Sequence, residues 1–104
     1  MKNAIRRIVM DLLKPLDPSL IEISKSLSEI EGINGVNIVV SEMDRKTETL
    51  KATIEGENID FEKIKAALDK YGVVIHSLDE VATGEILVDE SQIPPEGMRN
   101  KNNV

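Results

Sequence analysis

A chain of 104 residues, 40% hydrophobic and 31% charged, has room for one core and enough apolar side chains to fill it. It contains no cysteine, which excludes disulfide frameworks, thiolate metal sites, iron–sulfur clusters and cysteine nucleophiles. A net charge of −6 and an aromatic inventory of one Phe and one Tyr argue against nucleic acid as a partner, because phosphates need clustered Lys and Arg, and single strands need exposed rings.

The N-terminal MKNAIRRIVMDLL places basic residues ahead of an apolar run, in the manner of a signal peptide. Asp11 and Lys14 break that run and no small-residue cleavage site follows it. Ile8, Met10 and Leu12 alternate with Arg7, Val9 and Asp11, which predicts a first strand within residues 4–13. The KPLDPS loop then offers Asp17 as a helix cap and Pro18 for the first helical position. The helix should run to about Glu31 with Leu20, Ile23, Leu27 and Ile30 as its apolar stripe, and Gly32 should end it.

Val36, Ile38 and Val40 alternate with polar or outward residues to predict a second strand ending near Met43. The short polar DRKT turn leads to a third, with Leu50, Ala52 and Ile54 alternating with Lys51, Thr53 and Glu55, so the two should form a hairpin. Asp60 should cap a second helix whose stripe is Phe61, Ile64, Leu68 and Tyr71, closed by Gly72. A fourth strand is expected over residues 73–81, with GEILVDE as an edge extension. The remaining SQIPPEGMRNKNNV has paired prolines and no periodicity, so residues 1–88 are read as the domain and 89–104 as a disordered tail.

The order βαββαβ buries both helical stripes only if the helices share one face of the sheet. Right-handed crossovers then put strands one and three in the centre, giving a two-layer α/β domain of the ferredoxin-like kind, a four-stranded antiparallel sheet with two helices on one face. No segment approaches the ~18 consecutive apolar residues of a membrane span, so no membrane partner and a cytoplasmic location are expected.

The segments IRRIVMDLLKPLDPS, LSEIEGINGVNIVVSEMD, TIEGENIDFEKI and YGVVIHSLDEVATGE resemble a small, mostly archaeal family of uncharacterised proteins, domain of unknown function 211. The match runs from about Ile5 to Gly84, is specific in KPLDPS and VIHSLDEV, and leaves the tail after Asp89 outside the shared region. The resemblance implies a ferredoxin-like subunit in a ring-like homo-oligomer, with no established activity and no functional residues to carry over.

Several functions of this architecture require residues that are missing. A copper-chaperone-type domain needs cysteines after the first strand, and an acylphosphatase-type enzyme needs a glycine-rich loop with an arginine there; KPLDPS has neither. A nitrogen-sensor-type regulator needs a long loop where DRKT is short, and an RNA-recognition module needs aromatics where Val9, Lys51 and Thr53 stand. An amino-acid-type regulatory domain remains as an alternative, with Asp17, Ser19 and the helix N-terminus as its ligand groups and ordinary capping as their competing role.

Strands one and four should be antiparallel neighbours, in a register that sets Asp11 opposite His76, Arg7 opposite Glu80 and Val9 opposite Leu78 on the face away from the helices. The same register turns Asp79 toward the helix layer unless a bulge intervenes. His and carboxylate side chains together are donors for a divalent cation such as calcium or a transition metal, so Asp11, His76 and Glu80 are the candidate metal ligands; a salt-bridged patch is the competing reading. A register slip would instead bury His76. On the same face Ile5, Val9, Leu13 and Val39, with Val74 and Leu78, form a half-apolar surface suited to self-association, with scattered aliphatics of no consequence as the alternative. One histidine, no cysteine and no phosphate loop leave an enzyme thinly supported, and a homo-oligomeric assembly or binding module is the expected function.

Overall fold

The computed structural model describes residues 2–90. Its elements are β1 (Ile5–Pro15), α1 (Leu20–Ser28), β2 (Ile33–Met43), β3 (Thr47–Gly56), α2 (Phe61–Lys70) and β4 (Val74–Thr83). They form one antiparallel sheet in the order β2-β3-β1-β4, which is the ferredoxin-like arrangement that the order of predicted elements requires. Among the described residues no helix is long and apolar enough to cross a membrane.

Alternation explains the layers. Ile8, Met10 and Leu12 of β1 and Leu50, Ala52 and Ile54 of β3 are almost wholly buried against Ile23 and Leu27 of α1 and Ile64 and Leu68 of α2. Each such side chain removed from water contributes on the order of 1.5–3 kcal/mol before the entropic cost of ordering it. With Phe61 and Tyr71 only half-buried at the margin, aliphatic side chains carry the centre of the core.

Three local expectations need correction. Asp17 does not cap α1: Ser19 does, its hydroxyl accepting from the Glu22 backbone N–H at 3.1 Å while the Glu22 carboxylate accepts from Ser19 N–H at 3.1 Å. This reciprocal pair satisfies two of the unpaired donors at the helix start, which Asp17 lies too early in the chain to reach. Helix α1 also stops at Ser28, and Ile30 joins the core from the turn beyond it. Over residues 84–90 no strand forms: Gly84 turns the chain at φ +111° with its N–H on the Ala4 carbonyl, so GEILVDE is not an edge extension.

At α2 the expected caps are in place. Asp60 accepts from Glu62 N–H at 3.0 Å. Gly72 sits at φ +71°, which lets Val73 N–H reach the Leu68 carbonyl and Gly72 N–H reach that of Asp69. The hairpin turn is built on Asp44, whose carboxylate accepts from the Lys46 and Thr47 N–H groups and the Thr47 hydroxyl; the two backbone N–H groups and then the hydroxyl hold its carboxyl below the ordinary range. The expected disordered tail lies, from residue 91 onward, outside the described residues.

The β1–β4 register departs from expectation in an instructive way. Leu13 faces Val74 and Leu12 faces Ile75, but Asp11 faces Ser77, Met10 faces Leu78, Val9 faces Glu80 and Ile8 faces Val81. His76 and Asp79 are extra residues with no partner on β1, each marking a bulge. The apolar residues of β4, Ile75, Leu78 and Val81, are spaced by three, whereas a regular strand repeats by two. One bulge per interval returns each of them to the side of its buried partners Leu12, Met10 and Ile8. Without the bulges Asp79 would point into the helix layer; with them it lies on the open face.

Candidate functional site

The side of the sheet away from the helices carries the odd-numbered residues of β1, Arg7, Val9, Asp11 and Leu13, together with their β3 partners Glu55, Thr53, Lys51 and Thr49. Three zones follow from this. At one end Arg7 is held by Glu55 at 2.7 Å, Asp89 at 2.9 Å and Glu80 at 3.3 Å. In the middle Lys51 bridges Asp79 at 2.9 Å and Asp11 at 3.0 Å, and the Ser77 hydroxyl donates to Asp79 at 2.8 Å. At the other end lies an open cleft of about 440 Å³ lined by Asp11, Leu13, Ser41, Glu42, Thr49 and His76.

The candidate ligands are thus divided. Asp11 and His76 line one cleft although they are not paired across the strands, and Glu80 is at the far end with its carboxylate on Arg7. Glu42 of β2 lines the cleft instead. Among the described residues no three His, Asp or Glu side chains gather closely enough to hold a metal ion. His76 is exposed rather than buried, so the register slips without turning it into the core.

Lys51 was not among the candidates, although its odd position on β3 places it outward beside Asp11. The hydrogen bond from Lys51, followed by that from Ser77, holds the Asp79 carboxyl below its ordinary value; the hydrogen bond to Asp79 and then the close contact with Asp11 push the Lys51 ammonium above its own. The contact of Asp11 Oδ1 with Lys51 is an ion pair by distance but not an aligned hydrogen bond, and this oxygen is shielded from water. A depressed carboxyl adds stability above its unfolded value near pH ~4, lost as acid titrates it through the folded value. A raised ammonium adds stability below ~10.4, lost as the pH climbs through its folded value. The gap in melting temperature between wild type and Lys51→Met should therefore be widest between pH ~4 and ~10 and close on both sides. A gap independent of pH would remove the triad from the account.

The expected contact face is also modified. Leu13, Val39 and Val74 are exposed on the open side by 37%, 52% and 59%. Leu78 and Val81 belong to the helix side and stay about half exposed at the sheet edge, because no helix closes over them. Ile5, beyond the register shift at Arg6, packs against the core cluster. Both corrections have the bulges as their cause.

Comparison with known proteins gives a family and assigns no chemistry. An uncharacterised protein of Methanocaldococcus jannaschii, MJ0319, is 45% identical over 92 residues, which is 88% of this chain and 95% of that protein. The model of the DUF211 family, described as uncharacterized ArCR, matches residues 6–97. The shared region therefore continues past Asp89, where the resemblance alone had ended it. The chain belongs to the DUF211 family.

Proposed function

We propose that this protein is a homo-oligomeric assembly module whose open sheet face and strand edges build the contacts between copies. The supporting observation is the one-sided cover of the sheet: both helices lie on one face, and the other exposes Leu13, Val39 and Val74 beside the Lys51 ion pairs. Half-apolar sheet faces of this kind are ordinarily covered in solution. The edge strands β2 and β4 lie on opposite sides of the sheet, so a contact that pairs β2 of one copy with β4 of the next is head-to-tail, the kind of contact from which a ring is built.

Light scattering at micromolar concentration should give a mass several times 11.5 kDa. A monomer under those conditions would end this reading. A second reading rests on the cleft that Asp11, His76 and Glu42 line together, where a small polar ligand would fit as it stands and a divalent cation would have to draw these side chains closer. Calcium, zinc or manganese bound there must raise the melting midpoint of the native state, and a midpoint unmoved by all three would dispose of the cation.

A further inference from the structure

Lys14 continues the inward series Ile8, Met10, Leu12 on β1 and is 1% exposed, the one buried charged residue among those described. Its ammonium lies 2.8 Å from the Pro15 carbonyl oxygen, 3.1 Å from that of Leu16, 2.6 Å from that of Pro18, and 3.1 Å from Glu48 Oε1. Glu48 is its direct partner on β3, and is itself only 16% exposed. Four oxygens, three from one loop and one anionic, thus converge on a single positive charge.

The loop needs that charge. Pro18 within it and Pro15 at its entrance have no N–H to offer, and among the loop backbone hydrogen bonds none is accepted by the Leu16 or Pro18 carbonyl. Partly buried carbonyls without donors, and a partly buried carboxylate without a cation, are each costly. A wandering loop would relieve this, yet the chain here must turn from the end of β1 to the Ser19 cap of α1. A lysine at the last inward position of β1 meets all four demands with one group.

We propose that Lys14 is a tethered cation: the β1–α1 loop is an oxygen cage for a monovalent, ammonium-like ion, filled permanently by this side chain, and its shape depends on the charge rather than on the methylene stem. Carbonyl oxygens with one carboxylate are the donor set of hard cations, and their convergence here is the mark of such a site. The lysine closes the cage to outside ions; its truncation would open it to them.

The test uses the full chain. Lys14→Met, which keeps the stem and removes the charge, should melt at least ~10 °C below wild type, the range expected when one partner of a buried pair is lost. Lys14→Ala should regain part of its loss in methylammonium chloride, but not in choline chloride of equal ionic strength, because only the small cation enters the cage. Wild-type protein labelled with ¹⁵N should show one lysine ammonium protected from solvent exchange at neutral pH, and Glu48→Gln should weaken that protection. The last measurement needs no Lys14 variant to fold. Lys14→Met as stable as wild type, Lys14→Ala equally stable in the two salts, or no protected ammonium in wild type would each overturn the proposal.

Discussion

Gly56→Ala is expected to lower the melting temperature by more than ~10 °C, corresponding to about 3 kcal/mol of overpacking in a domain of this size. Gly56 closes β3 opposite Ile33, where the start of β2 crosses closest to it. A Cβ there would overlap the Gly32 carbonyl oxygen and come within 3.0 Å of the Gly32 carbonyl carbon and Ile33 Cα. All three atoms are backbone, so no side chain can swing aside; the two strands must part. That separation would also strip the Gly32 carbonyl of the Glu57 N–H, now 3.1 Å away, and loosen Ile33 from the core. Differential scanning calorimetry decides it, and a variant melting within ~2 °C of wild type would show that the strands have room that the backbone contacts deny. Gly35 is a built-in control, since a Cβ there meets nothing within 4 Å.

Leu68→Ala should cost ~2–5 kcal/mol, seen as a fall in the urea midpoint with an unchanged slope. Leu68 is 1% exposed in the stripe of α2 and belongs to the cluster that includes Ile8, Met10, Leu27 and Ile64. Its removal leaves a cavity bounded by sheet and helix, neither of which can collapse freely into it. Ile21→Ala, on a helix residue that is 67% exposed, should change stability by less than ~0.5 kcal/mol. The pair separates burial from hydrophobicity: both lose methylene groups from helices, and only one empties a space. Equal losses at the two sites would contradict the assignment of the helical stripes.

Where the pattern was regular, the sequence was enough. The period of two in residues 7–12 and 50–55 and the three-and-four spacing through Ile23, Leu27, Ile64 and Leu68 led directly to the layers, and the order of elements led to the strand order. The caps at Asp60 and Gly72 were equally legible, because a carboxylate before a helix and a glycine after one are local solutions to local problems. At Ser19 the capping box was present in the spelling S-L-I-E, but the proline after Asp17 drew the helix start too early.

β4 and the site were decided elsewhere. The spacing of three in Ile75, Leu78 and Val81 was visible, yet its meaning depended on buried partners across β1, because a strand bulges only to keep contacts with a neighbour already in place. Those two bulges put His76 and Asp79 on the open face, joined Asp79 to Lys51, and separated Glu80 from the cleft that holds Asp11 and His76. Lys14 lay just past the predicted end of the first strand, and its inward direction and the four oxygens around its ammonium came only with the longer β1, the folded loop and the facing Glu48. The amino-acid order therefore determined the architecture, which rests on periodicities a few residues long. The tertiary structure decided the chemistry, because a charge distribution is a sum over strands distant in the chain, and a slip of one residue in pairing rearranges every group that faces another.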